Sequence, residues 1–403
     1  MVDPDYAWRK IVASVTPLPS APRAYDQCLF HYLAQPVLAD RDIPAADRSA
    51  MDGYAVHADD VASAPASLRV VGEVAAGSPA RPALAPGECV RIFTGANVPP
   101  DADAVVMVED TEATAGDAVT ILNPVSRGRN ILRRGENARR GAILLRSGVL
   151  LDATALAVCA AAGCADPRVH ARPRITVITT GAELKAPSET VGIHEIRDSN
   201  GPMLTAAIAE QGFGSAVWIC VPDDHAKLLA SLRRALEDHD VVLVTGGVSV
   251  GKYDLVPDII REAGATVHYH GVAMKPGKPQ LFATVENGRC IFGLPGNPLS
   301  VLTGFHEFAL PTLRYLAGCP EADCHRLLRL PLFAGVTTRG RQRHYLLGRL
   351  AHTGAGTVVD PVANAGSADL VAGSRADGMI IVPAGTSDIP AGTCVDFRPW
   401  RLL

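Results

Sequence analysis

The order of apolar and polar positions divides the chain into distinct textures. Between residues 173 and 318, apolar runs of strand length alternate with stretches of helical period. The runs are RITVITT (174–180), 216–221 and DVVLVT (240–245), with 281–285 and 290–292 also extended. The periodic stretches are 200–211, 223–237, 255–263 and 299–317. In the second, Leu228, Leu232 and Leu236 recur every fourth position, on one helix face. Strand–loop–helix alternation predicts a doubly wound α/β domain with a parallel-type sheet. From 49 to 145 the β-prone runs are shorter (68–71, 89–93, 104–108, 119–122, 143–145) and separated by Gly, Pro, Asn and Asp, which predicts a β-rich unit. Helices are expected at 24–33, between Pro22 and Pro36, and at 151–163, where Asp152 is a suitable N-cap and Gly163 a stop. Short strands return after residue 327. The expected fold is therefore multidomain α/β plus β. A small helical linker domain (1–48 plus 146–172) is interrupted by a β-rich inserted domain (49–145), then follow the α/β domain (173–318) and a small C-terminal β domain (319–403).

Composition narrows the function. At 48% hydrophobic residues the 403-residue chain has ample material for packed cores. Thirty-eight basic against 42 acidic residues, a net charge of −4, argue against a surface built to grip nucleic acid or anionic lipid. No apolar run approaches the ~18 residues of a membrane-spanning helix, and the charged N-terminus has no apolar signal core. The nine cysteines are odd in number and none has CxxC spacing, which disfavours a zinc ribbon or a disulfide framework. A cytoplasmic protein is expected. Lysine is scarce, yet Lys252, Lys275 and Lys278 fall close together, as if a compact ammonium were needed there.

Four polar loops follow apolar runs in the α/β stretch: TTGAEL (179–184), TGGVSVGKYD (245–254), KPGKPQ (275–280) and GLPGNPLS (293–300). Open α/β sheets bind ligands at the carboxyl ends of their strands, so these loops should converge on one rim. TGGVSVGKYD matches GxxxxGK from Gly246 to Lys252, but Tyr253 stands where an NTPase carries a Mg²⁺-binding Ser or Thr. A phosphate-cradling turn fits it better than a true P-loop. KPGKPQ sets two ammonium groups three residues apart between prolines and apolar flanks, which suits a small oxyanion better than a solvated loop. GLPGNPLS either presents helix N–H groups and Ser300 to an anion or is simply a tight strand–helix connection. Glu183, Asp198, Asp223, Asp224 and Asp254 lie near expected strand ends; each alone suits a cap, and several together suit Mg²⁺. In the β-rich stretch, DRSAMDGYAV (47–56) places Asp52 before a Gly, which by itself reads as a hairpin turn.

Taken in order, SAMDGYAV (49–56), FTGANVP (93–99), ADAVVMVED (102–110), TTGAEL, RDSNGPML (197–204), TGGVSVGKYD, VAMKPGKP (272–279) and GLPGNPLS resemble the molybdopterin molybdotransferase family. These are the molybdenum insertases, which include MoeA and the E domain of gephyrin-type proteins. AGSADL (365–370) adds a weaker C-terminal match. The resemblance implies a homodimer with a composite active site. It implies a transferase of molybdenum cofactor biosynthesis that inserts molybdenum from molybdate into adenylylated molybdopterin, with Mg²⁺-dependent release of AMP. By matching position it implies Asp254 as the Mg²⁺ ligand and Ser249 as a phosphate or pterin contact. Lys275, Lys278, Ser300 and Ser367 resemble the molybdate-site residues, with Pro279, Pro295 and Pro298 carried along in the same loops. Glu183 and Asp223 match the acidic positions of the site, and Asp52 and Thr94 resemble positions that reach the partner subunit's site. A C-terminal Arg falls at Arg341 or Arg343. The molybdopterin adenylyltransferase is an implied partner; nucleic acid and membrane are not.

The chain departs from the family pattern at Arg48, Asn137, Ala182 and Gly271. Gly271 stands four residues before Lys275 where the family often has a basic residue, so the oxyanion pocket is expected to be one cation short. These departures keep a non-catalytic, pterin-binding scaffold of the same family open beside the enzyme, with a P-loop-like NTPase as a third reading.

Overall fold

The computed structural model describes residues 1–79, 82–114, 116–248 and 255–401. The chain opens with helix α1 (Pro4–Val12), which the sequence reading did not anticipate; Asp3 caps it by accepting from the Asp5 N–H, and Pro4 occupies its first turn. The helix expected at 24–33 is absent. Only a single 3₁₀ turn forms, at Tyr25–Gln27. The N–H groups of Phe30, Leu33 and Ala34 donate instead to the carbonyls of Leu151, Val149 and Arg168, and Phe30 has φ +61°. Long-range pairing takes the donors a helix would have used.

Residues are grouped by their contacts more coarsely than the four segments expected from the sequence, into two compact units. Residues 36–147 and 154–167 form one. Its sheet runs in the order β4–β1–β3–β2–β6–β5, where β1 is Gly53–Val56, β2 Ala66–Val74, β3 Glu88–Ile92, β4 Ala104–Met107, β5 Thr111–Ala113 and β6 Ala118–Ile121. Alternate residues feed two cores: Val90, Ile92 and Val105 on one face, Cys89, Val106 and Val119 on the other. Gly53 is required where β1 meets β4, since a Cβ there would lie 1.8 Å from the Val106 carbonyl oxygen. Helix α2 (Ala153–Ala161) falls within the stretch expected to be helical.

The remaining residues form the other unit around a six-stranded sheet in the order β8–β7–β9–β13–β12–β10. Here β7 is Ile175–Thr180, β8 Val217–Val221, β9 Val241–Thr245, β10 Thr266–His270, β12 Leu281–Thr284 and β13 Cys290–Leu294. Strands β8, β7, β9 and β13 are parallel, as expected. The sheet is nevertheless mixed, because β12 and β13 form an antiparallel hairpin through Asn287–Gly288 and β10 pairs antiparallel with β12. Strands β7 and β9 are buried along their whole length, which is why they read as unbroken apolar runs. Helices α3 (Asn200–Glu210), α4 (His225–Asp238) and α5 (Val256–Glu262) connect the strands. In α4, Asp224 caps the Lys227 N–H at 2.8 Å, and Leu228, Leu232 and Leu236 are buried.

The helix expected at 299–317 runs without interruption over 298–316, as α6 (Pro298–Gly304), a π-turn over Phe305–Ala309, and α7 (Leu310–Leu316). A C-terminal sheet follows in the order β11–β15–β17–β18–β14, with β16 paired to β15. Its strands are β11 (Met274–Lys275), β14 (Leu328–Pro331), β15 (Arg343–Thr353), β16 (Gly356–Pro361), β17 (Gly378–Val382) and β18 (Cys394–Pro399). Ala7 and Ile11 of α1 and Tyr345 and Met379 of this sheet share one core with Val177, Leu243 and Phe292 of the α/β sheet, which is why three expected segments join in one unit. Among the described residues no helix is long and apolar enough to cross a membrane.

Candidate active site

A crevice of about 570 Å³ opens at the carboxyl ends of β7 and β9. Three of the four polar loops contribute to it, through Thr179–Leu184, Thr245–Gly247 and Gly296–Pro298. Its walls are held by polar contacts. The Asp223 carboxylate accepts from Thr180 Oγ1 at 2.7 Å and from the Ala182 N–H at 3.0 Å. Asp198, only 3% exposed, accepts from Thr179 Oγ1, from the Gly201 N–H and from Trp218 Nε1. Asn200 Nδ2 donates to the Gly296 carbonyl at 2.7 Å and Thr245 Oγ1 to that of Pro295 at 2.8 Å, tying GLPGNPLS to the neighbouring strand end. Gly246 has φ +97°, and a Cβ on it would lie 2.0 Å from the Thr180 carbonyl oxygen, so the β9 turn admits no side chain. Glu183 lines the crevice and is exposed.

A second cavity, of about 390 Å³, lies beside the first, and Asn297 lines both. Lys275, Lys278, Pro279, Pro295, Ser300 and Ser367 all border it. Both ammonium side chains are exposed, whereas Ser300 is buried at 5% and Thr303 at 3%. Among the described residues its lining contains no carboxylate. Gly277, at φ +99°, lets the KPGKPQ loop pack on α6: a Cβ would lie 3.0 Å from Gln280 Nε2 and 3.3 Å from the Ser300 carbonyl oxygen. Ser367 reaches the cavity from the loop before Asp369. Its carbonyl accepts from the Leu299 N–H at 3.0 Å, and its Oγ accepts from Asn297 Nδ2 at 2.8 Å. His344, the register partner of Lys275, also lines the cavity. Burial holds its pKa below the usual value; the Arg339 carbonyl opposes this and the Lys275 ammonium adds to it, so the ring is neutral near pH 7.

Several expectations fall elsewhere. Arg341 is exposed and does not line the lysine-bordered cavity. Arg343 is turned to α1, where it binds Asp5 in a bidentate pair at 2.8 and 2.7 Å. The strand places His344 rather than either arginine at the cavity, because β11 pairs with β15 at Met274–Arg343 and Lys275–His344. Gly271 is buried at φ +94°, and a Cβ there would face Met1 at 3.4 Å. Gly271 itself does not line the cavity, and its Cβ direction also lies 4.0 Å from the carbonyl oxygen of Lys278, which does. Ser249 and Asp254 of the near-Walker loop, with Lys252 between them, lie outside the described residues.

Asp52 and Thr94 meet in the other unit. Asp52 Oδ1 accepts from the Thr94 N–H at 2.7 Å and from Thr94 Oγ1 at 2.8 Å, and these bonds hold the carboxyl below its usual range. The sequence reading missed Asn297, Asn200 and His344. The first two stand inside quoted motifs and were legible there as polar residues at strand–helix junctions; His344 carries no local signal.

Family models match nearly the whole chain: the MoeA N-terminal region (domain I and II) at residues 2–163, a probable molybdopterin binding domain at 176–315, and the MoeA C-terminal region (domain IV) at 329–400. A molybdopterin molybdenumtransferase of Staphylococcus aureus (strain COL) is 34% identical over 97% of this chain and 93% of its own length. The chain belongs to the MoeA family. A molybdopterin molybdenumtransferase of Staphylococcus epidermidis is 32% identical over 92% of this chain and 89% of its own. The crystal structure of a molybdopterin biosynthesis moeA protein from Pyrococcus horikoshii OT3 matches with a TM-score of 0.82 at 26% identity, covering 99% of this chain and all of that one.

Proposed function

We propose that this MoeA-family chain is a molybdopterin molybdenumtransferase that takes molybdate in the lysine-lined cavity and adenylylated molybdopterin in the adjoining crevice. The observation that carries the reading is the pairing of the two spaces. One is lined by two ammonium groups, hydroxyls and amides with no described carboxylate; the other, larger and acidic-walled, shares Asn297 with it. A dianion with four oxygens needs charge and donors without a carboxylate nearby, and Lys275, Lys278 and Ser300 supply them. Insertion replaces one oxo group of molybdate by the two pterin sulfurs; the two thiol protons leave with that oxygen as water. The lysines hold the oxyanion in place while its charge is conserved, and Asp198, Asp223 and Asn200 fix the loops that frame the pterin nucleotide.

The Mg²⁺ implied by the family is assigned to Asp254, outside the described residues. The described residues alone do not form a divalent-cation site. Asp223 and Asp198 are engaged by protein donors, and no group of three ligand-type side chains comes together among them. The homodimer, the contribution of Asp52 and Thr94 to a partner's site, and contact with an adenylyltransferase belong to the same proposal. The test is reconstitution: purified protein, adenylylated molybdopterin and molybdate should restore activity to an apo-molybdoenzyme. Reconstitution that proceeds equally well without molybdate would overturn the reading.

A further inference from the structure

Asn297 lines both cavities, is not among the residues matched to the family's substrate contacts, and is bonded to one that is. Its Nδ2 donates to Ser367 Oγ at 2.8 Å. The Ser367 loop is otherwise pinned from both ends. The Leu299 N–H donates to the Ser367 carbonyl, and Asp369 accepts from the N–H groups of Ala365 and Ala372. The backbone of Ser367 is therefore fixed, and what remains to be set is the direction of its hydroxyl proton.

A serine hydroxyl has one proton and can accept as well as donate. When Asn297 donates to Oγ, the O–H cannot be spent on Asn297 and points elsewhere, and the cavity that Ser367 lines is where a partner would sit. A deprotonated oxyanion is acceptor-only, so a wall hydroxyl helps it only as a donor. We propose that Asn297 is a positioning residue for the oxyanion: by donating to Ser367 Oγ it commits the Ser367 hydroxyl proton to the bound anion. Asn297 then acts on molybdate through Ser367 and makes no bond to it. The inference rests on the lysine-lined cavity being the oxyanion site, and it deepens that reading by adding a residue.

The experiment is a double-mutant cycle on the full-length protein with molybdate as the probe. Molybdate Kd is measured for wild type, Asn297→Ala, Ser367→Ala and the double variant, together with KM for molybdate and for adenylylated molybdopterin. Each single change should weaken molybdate about tenfold, the scale of one hydrogen bond to a charged group. The double variant should bind no more weakly than Ser367→Ala alone, since the asparagine has nothing left to orient. KM for molybdate should rise by more than that for the pterin, whose crevice Asn297 also lines. Asn297→Asp, which can only accept from Ser367 and so draws the proton away, should be weaker than Asn297→Ala. If Asn297→Ala costs as much in the Ser367→Ala background as in wild type, or raises the pterin KM instead, the role is overturned. A Lys275→Ala/Lys278→Ala control separates the two levels: if it binds molybdate like wild type, the cavity assignment itself has failed.

Discussion

Lys275 and Lys278 stand three residues apart on a loop whose shape is set by Gly277 and Pro276 and which packs against the start of α6. Both side chains are exposed and line the cavity, and among the described residues neither enters an ion pair, where arginine is the usual cation. An ammonium kept out of such pairs retains its charge for a ligand. Replacing both lysines by alanine should remove two charge-assisted contacts, about 1.5–3 kcal/mol each before coupling. Molybdate titrations should then shift to far higher concentration with the circular dichroism spectrum unchanged. An unaltered titration in the folded double variant would place the oxyanion elsewhere. The neighbouring Gly271 is a contrasting case. Its positive φ and its position against Met1 mean that a lysine introduced there would strain the backbone, so Gly271→Lys should lower thermal stability whatever it does to oxyanion affinity.

At the level of elements, the crevice depends on how closely β7 and β9 approach at their ends. Gly246 meets the Thr180 carbonyl of the adjacent strand end, and only a residue without a Cβ fits at φ +97°. Gly246→Ala should cost at least about 1–3 kcal/mol in backbone strain before the clash is counted. Thermal unfolding of the variant should move well below that of wild type; an unchanged transition would show that the approach is not obligatory. Helix α1 is fastened to β15 by the Asp5–Arg343 pair. The hydrogen bond from Arg343 holds the Asp5 carboxyl below its usual value, despite an opposing contribution from burial. A depressed carboxylate pKa adds stability above the unfolded value of about 3.9 and loses it as pH falls through the folded value. Asp5→Asn should therefore lower stability near pH 7 by up to about 1 kcal/mol, given that Asp5 is largely exposed. The difference from wild type should shrink as pH falls below the unfolded value and vanish once the folded carboxyl is protonated, as chemical denaturation across pH would reveal. A difference that persists in acid would mean that Asp5 acts through the shape of its hydrogen bonds with Arg343 and not through its charge.

For the whole molecule, the residues carried over from the family pattern divide between the two units. Lys275, Lys278, Ser300 and Ser367 lie in one, and Asp52 with Thr94 in the other. In the proposed homodimer with composite sites, Asp52 and Thr94 of one chain serve the cavity of the second. Asp52→Ala and Lys275→Ala proteins, each weakly active alone, should then complement when mixed, because a mixed dimer retains one intact site. Activity that stays at the parental level after verified subunit exchange would put the whole site within a single chain.

The sequence by itself determined the elements whose burial is uniform and the loops whose chemistry is local. Strands β7 and β9 were legible because both their faces are covered, so every position is apolar or a threonine. Helix α4 was legible because one face alone is buried. The lysine pair and the glycine-rich turns were visible because charge, proline and glycine act over a few residues. The tertiary structure decided what depends on distant partners. Residues 24–33 have helical composition, yet the backbone donors of Phe30 and Leu33 go to Leu151 and Val149, a choice made by pairing across more than a hundred positions. The antiparallel hairpin of β12 and β13 turned a sheet expected to be parallel into a mixed one. The register of β11 on β15 put His344 at the cavity and sent Arg343 to Asp5, a one-residue distinction that spacing along the chain could not make because successive strand side chains face opposite ways. Asn297 gained its partner in the same manner: Ser367 lies seventy residues on, and only the packing of the C-terminal loop against α6 brings its hydroxyl within reach of the amide.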